Sequence, residues 1–244
     1  MPVIVRVAVV PQPPLLVPEL VAGHDPDAQL VRDECVAVAA RLATAARRWV
    51  AIAADSSAEE PVLLGPDTAG TFRGYGVDVP VRLTFAGTGT PDPALPLPAL
   101  IAGWLREQAG VDEIRLWLVP PHLSTEECQA LGEQLAAEVD GEPVGLLVLG
   151  DGSHRHGERA VGRPDERAAE FDEDVRRALA AADPAGLMSL DAELAGSLGA
   201  IGRAPWQVLA GLVGKDGRVW RCEHSRLLIP FGVAYHLAVW DPQS

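Results

Sequence analysis

Short apolar runs alternate along this chain with stretches in which apolar residues recur every third or fourth position. The first kind reads as buried strand and the second as helix with one inward face. Residues 3–10 form a first strand, and residues 25–47 a helix with Val31, Cys35, Val38, Leu42 and Ala45 on one side. Residues 49–53 are a second strand that exits through Asp55-Ser56-Ser57. Residues 59–90 are looser: a short run at Val62-Leu63-Leu64, several glycines, then strand-like 77–83, together read as one or two edge strands. A helix bearing Leu97, Ile101, Trp104 and Leu105 closes at Gly110, a C-terminal cap. Residues 113–119 are a further strand, ending at Pro120-Pro121-His122.

Ser124 and Glu127 have the spacing of a capping box, which opens a helix with Cys128, Leu131, Leu135 and Val139 inward. Residues 164–182 read as a helix with Pro164 in its first turn and Ala168, Phe171, Val175 and Ala178 facing in. Residues 183–199 hold one shorter helix and 205–213 another. Asp216-Gly217 turns into 218–221, and 229–240 finish as a strand. Strands that alternate with helices imply an α/β fold: a layered central sheet, largely parallel, flanked by helices. There is no repeat and no long linker, so residues 1–244 read as one domain, the proline-rich stretch 91–98 being its weakest joint.

The pattern has a centre. Residues 144–149 are continuously apolar, as in strands covered on both faces. They run into Gly150-Asp151-Gly152-Ser153-His154-Arg155-His156, where glycines permit a sharp turn and close approach to a ligand. A second such place follows the first strand. Pro11, Pro13, Pro14 and Pro18 around Gln12 preclude helix or inner strand and make a stiff loop.

Composition narrows the function classes. The formal net charge is −14, from 34 acidic and 20 basic residues, so the surface repels phosphate backbones and nucleic-acid binding is excluded. Lys215 is the only lysine, which removes Walker-type phosphate loops and most Schiff-base chemistry. Cys35, Cys128 and Cys222 are too few and too scattered for a disulfide framework and suit a reducing cytoplasm. Residues 1–10 are too short for a signal peptide, and no apolar run of membrane-spanning length occurs.

His154 on the glycine loop has the type and place of a general acid/base or an anion donor; a loop histidine bonded to backbone is the plain alternative. Asp151 and Ser153 either orient it or cap the next segment. Arg155 is a candidate ligand contact. His122, His156 and His154 all follow strand ends, which raises a histidine metal group as a second idea. His24 and His236 read as structural or surface, Glu223-His224 as part of a turn, and Tyr235 and Trp240 as packing.

Three segments in order carry a resemblance. The stretch from Pro11 to Glu19 is similar to a Pro-His-Pro-Pro-hydrophobic-Pro-Glu motif. Gly150-Asp151-Gly152-Ser153-His154, with Asp165, Glu170, Phe171 and Asp172 after it, resembles a Gly-Asp-Leu-Ser-His segment and its helix. Pro230-Phe231-Gly232-Val233-Ala234-Tyr235 resembles a closing Pro-Phe-Gly-Val-Gly-Tyr strand. All three belong to the class III extradiol dioxygenase catalytic-subunit (LigB-type) superfamily, which includes the Memo-like proteins. That resemblance implies a LigB-like α/β fold, a mononuclear Fe(II) held by two histidines and one carboxylate, a catechol substrate and a histidine acid/base. His154 matches the acid/base. Gln12 stands at the first ligand position, Asp55-Ser56-Ser57 at the second, and 225–229 contain no carboxylate, Glu223 being the nearest.

The expectation is therefore a LigB-like protein with a degenerate Fe(II) site, without ring cleavage. It would bind a small aromatic or anionic ligand near His154, with His154, Asp151 and Ser153 as the catalytic candidates and Gln12, Arg155, His122 and His156 as ligand contacts. Two rivals stand beside it: an oxidoreductase whose metal is held by His122, His156 or Glu223, and a non-catalytic interaction module. Homo-oligomer formation is left open.

Overall fold

The computed structural model describes residues 3–138 and 143–243. Seven strands form one sheet in the order β3-β6-β2-β7-β1-β9-β8. The centre consists of β6 (Glu113–Val119), β2 (Arg48–Ala54), β7 (Pro143–Leu149) and β1 (Val3–Val10), all parallel. Antiparallel strands close both flanks: β3 (Val62–Leu64) beside β6, and β9 (Tyr235–Pro242) with β8 (Trp220–Leu228) beside β1. The largely parallel expectation thus holds for the centre, and the flanking strands are antiparallel.

Alternation along the strands sorts the core into two layers, because successive side chains leave opposite faces. Val7, Val9, Val50, Ile52, Leu146 and Val148 meet one set of helices: α3 (Thr125–Glu138), α4 (Arg167–Ala181), α5 (Pro184–Met188), α6 (Ala192–Leu198) and α7 (Arg203–Asp216). Ala8, Val10, Ala51, Ala53, Leu147 and Leu149 meet α1 (Pro26–Ala45) and α2 (Leu97–Ala109). The chain moves outward from β1 to β6 over one face and returns to β7 over the other. The carboxyl ends of four parallel strands consequently share one edge, where crevices form in such sheets.

Local signals set most element boundaries. Asp25 caps α1 by accepting from the amides of Asp27 and Ala28, with Pro26 as first helical residue. Gly110 ends α2 at φ 65°. The Ser124–Glu127 box is reciprocal, at 3.2 and 2.7 Å. Glycines admit one close helix crossing: a Cβ on Gly132 of α3 would collide with the Val208 carbonyl of α7, and one on Gly211 would reach Gln129. Val139, expected inside α3, lies outside the described residues.

Several expectations are corrected. α4 starts at Arg167, since the Asp165 carboxylate takes the Arg167 amide and leaves Pro164 outside the helix. Residues 183–199 hold two helices, capped separately by Asp183 and Asp191. The expected strand 77–83 shortens to β5 (Pro80–Arg82), which pairs with β4 (Ala69–Thr71) in a separate ribbon. The proline loop contains two 3-10 turns, Pro14–Leu16 and Pro18–Leu20. Glu223 and His224 lie within β8, at a register shift, and not in a turn. Residues 229–234 are not strand. Pro230–Gly232 form a 3-10 turn in which Phe231 (φ 56°) and Gly232 (φ 74°) are left-handed, and β9 begins at Tyr235. Among the described residues no helix is long and apolar enough to cross a membrane.

Candidate functional site

The three segments singled out in the sequence meet at the carboxyl edge of the sheet. The glycine loop and the 230s turn pair like a short ladder. Gly152 N–H donates to the Ala234 carbonyl at 2.9 Å, Ala234 N–H to Ser153 at 2.8 Å, and His156 N–H to Gly232 at 3.1 Å. The proline loop joins them where the Gln12 amide donates to Asp151 Oδ1 at 2.9 Å. Small residues make this possible: a Cβ on Gly152 would run into the Asp172 carboxylate and Ala234, and one on Gly232 into Arg159 and Ala160.

Gln12 is 4% exposed. Its Nε2 donates to the Ala54 carbonyl at the end of β2, at 2.8 Å, while its Oε1 is buried without a partner. An unmet buried acceptor costs about 1–3 kcal/mol, so this oxygen is a standing demand for a donor. Asp151 beside it is enclosed by protein but keeps a partial opening to solvent. Burial raises its carboxyl to about 7, against a smaller lowering by the Gln12 amide. Tyr235 and Cys35 complete the neighbourhood; burial raises both, and the Asp151 charge adds to each. At neutral pH the group offers one carboxyl in exchange with its acid form, a free amide oxygen and a protonated phenol.

A second cluster lies behind the loop. Asp172 of α4, 0% exposed, accepts from or shares protons with two histidines: His156 Nε2 at 2.6 Å and His236 Nε2 at 2.8 Å. The Ser153 amide adds contacts of 3.3 and 3.2 Å. Burial alone pushes the Asp172 carboxyl upward, but its hydrogen bonds from His156 and His236 outweigh that and hold it below the ordinary range. His236 is 0% exposed, edge-on to Trp206, with Nδ1 unpartnered. The surface alternative for His236 is thereby corrected; its structural reading stands.

The expected site residues do not form one constellation. The His154 ring packs on the backbone of Gly199 (φ 67°), and burial, with Arg155 adding, lowers its pKa. Ser153 Oγ is committed, donating to the Leu198 carbonyl at 3.1 Å and accepting from the Arg155 amide. Arg155 donates to the Arg163 carbonyl at 3.2 Å. His156 is taken by Asp172, and exposed His122 lines a separate cavity beside α6 and α7. The three histidines make no joint ligand group: among the described residues no three His, Cys, Asp or Glu side chains are placed to hold a metal. Sequence reasoning passed over Asp172 and His236 as partners, Cys35 and Tyr235 as neighbours of Asp151, and Arg203. The i, i+4 pair Arg203–Gln207, in a helix otherwise without charged residues until Lys215, was the available signal for the last.

The Fe(II) that the resemblance implies can be tested against these donors. Gln12 presents an amide, its nitrogen already engaged. Asp55 Oδ1 accepts from the amide and hydroxyl of Ser57, at 2.9 and 2.7 Å. Glu223 pairs with Arg221 on β8. A two-histidine, one-carboxylate face cannot be assembled from this set, and ferrous ion does not fit it.

No family model matches the chain, and no curated protein matches it. Among solved structures, it is similar to the crystal structure of uncharacterized protein JW3007 from Escherichia coli K12. The TM-score is 0.52 at 14% identity, over 97% of this chain and 99% of that one. A likeness at that identity speaks to the fold alone. The chain is an α/β protein with a parallel-centred sheet covered by helices on both faces.

Proposed function

We propose that this chain is a LigB-type, class III extradiol dioxygenase-like protein whose ferrous site has been lost and whose strand-end crevice binds a small hydroxylated or aromatic molecule. One observation carries the reading: the three motif-like segments converge, and where they meet stand the unpartnered oxygen of Gln12 and the carboxyl of Asp151.

The chemistry of that pair suits a donor ligand. Gln12 Oε1 needs a hydrogen to accept, and Asp151, with a pKa of about 7, accepts one as carboxylate or donates one as acid. A hydroxyl on an aromatic ring satisfies both without a metal. His154, outside this hydrogen-bonded group, is not needed for binding.

Protein purified under anaerobic conditions and reloaded with ferrous ion tests the proposal. Bound iron should stay substoichiometric and catechol should draw no oxygen uptake. Catechol should nonetheless raise the unfolding temperature of the wild-type chain, and raise it less for Gln12→Ala and Asp151→Asn. Stoichiometric iron with catechol-dependent oxygen consumption would establish the oxidoreductase reading instead.

A further inference from the structure

Arg203 opens α7, and it is 1% exposed. A guanidinium taken out of water ordinarily meets an opposite charge there. Arg203 meets none among the described residues. Nη1 donates to Gln207 Oε1 at 2.8 Å and lies 3.8 Å from Cys128 Sγ, Nη2 donates to the Pro121 carbonyl at 2.7 Å, and Nε is buried with no partner. Each of those acceptors is neutral, since burial raises the Cys128 thiol to about 11. Burial also lowers the Arg203 pKa from its ordinary value, with Cys128 and more distant Asp191 opposing.

The same arginine lines a cavity of about 380 Å³, a volume typical of small-molecule sites. His122, shortly after β6, stands on its wall, and Gly199, Ala200 and Ile201 lead along it to Arg203, the first residue of α7. Ala192, Ala195 and Ile201 make the rest of the wall apolar. One acidic side chain, exposed Glu193, also borders it.

We infer that this cavity is a binding site for a small organic carboxylate, with its charge toward Arg203 and its apolar body against Ala192, Ala195 and Ile201. The carboxylate supplies the counter-charge that Arg203 lacks among the described residues. His122 adds a donor from the wall. Glu193 repels a second negative charge, which favours a monocarboxylate over a phosphate. The site is separate from Gln12 and Asp151 and stands whether or not that crevice takes a ligand.

Calorimetric titration of the full chain with benzoate, benzamide and inorganic phosphate tests this. Benzoate should bind about tenfold or more tightly than its neutral isostere benzamide, and more tightly than phosphate. Arg203→Met should weaken benzoate by about tenfold or more. Gly196→Leu provides an arm that does not rest on the folding of that variant. Gly196 borders the cavity, and a Cβ there meets nothing within 4 Å, so a leucine can be introduced there to obstruct the opening. Benzoate binding should be lost in Gly196→Leu and unchanged in Gln12→Ala. Equal affinity for benzoate and benzamide, tighter binding of phosphate, or benzoate affinity that survives Gly196→Leu would overturn the assignment. Binding lost in Gln12→Ala but kept in Gly196→Leu would also overturn it, while leaving the strand-end crevice as a site.

Discussion

Replacing Asp151 with asparagine isolates the titration of one carboxyl. Asparagine keeps an oxygen for the Gln12 amide, now 2.9 Å from Oδ1, and removes only the charge. The wild-type carboxyl moves from an ordinary 3.8 to about 7 because folding strips water from it. A carboxyl raised in this way favours the folded state most at low pH. Its contribution is complete below the unfolded value and is lost as pH rises through about 7. That interval, at about 1.4 kcal/mol per pH unit, sets a ceiling of about 4 kcal/mol. The partial opening of Asp151 to solvent reduces this, and about 2 kcal/mol is expected. Urea unfolding followed by tryptophan fluorescence, from about pH 4 to about pH 8, reads it directly. The wild type should lose stability across that range relative to Asp151→Asn, and the variant should be the more stable of the two at the alkaline end. Parallel curves would refute the reasoning, because they would mean that the carboxyl is solvated as well in the folded chain as in the unfolded one.

Three further outcomes follow from the same geometry. Asp172→Asn leaves two histidines without their common carboxylate and should cost about 3 kcal/mol at neutral pH, read from the urea midpoint. Since Asp172 is held below its ordinary range, its contribution is present above that range and lost as pH falls through the folded value, so this variant should also lack the wild type's steepest acid loss. Gly152→Ala drives a methyl group into Asp172 and Ala234 and should cost about 3 kcal/mol, with the same readout; a neutral effect would mean that the loop and the 230s turn are not locked together. Gly132→Ala should lower the thermal midpoint even though alanine is the better helix former, by a net of about 2 kcal/mol, because the Val208 carbonyl occupies the place of its Cβ.

What was legible in the sequence was local. The residue period distinguishes strand from helix, and Asp25, Gly110 and the Ser124–Glu127 box mark helix ends through bonds that span only a few residues. The continuous apolar run before Gly150 announced a strand covered on both faces, and β7 lies in the middle of the sheet with a helix layer on either side. The antiparallel flanks were not legible, because the direction in which β9 returns is decided by pairing with β1, more than two hundred residues away in the chain. The 230s turn read as strand because Phe231 gives no sign of a left-handed backbone, and the close approach of Arg159 and Ala160, which leaves room only for glycine at 232, comes from a distant loop.

The site divides along the same line. From the sequence alone came the chemistry of its parts: a glutamine in a proline-rich loop after the first strand, a glycine-flanked Asp-Gly-Ser-His, and a surplus of negative charge. Tertiary structure alone decided the pairings. It set His156 and His236 on one buried carboxylate, put Gln12 against Asp151, and left Arg203 in the interior without an acid among the described residues. The physical reason is that desolvation and charge pairing depend on what surrounds a group in space, and the neighbours of these side chains come from elements far apart in the chain.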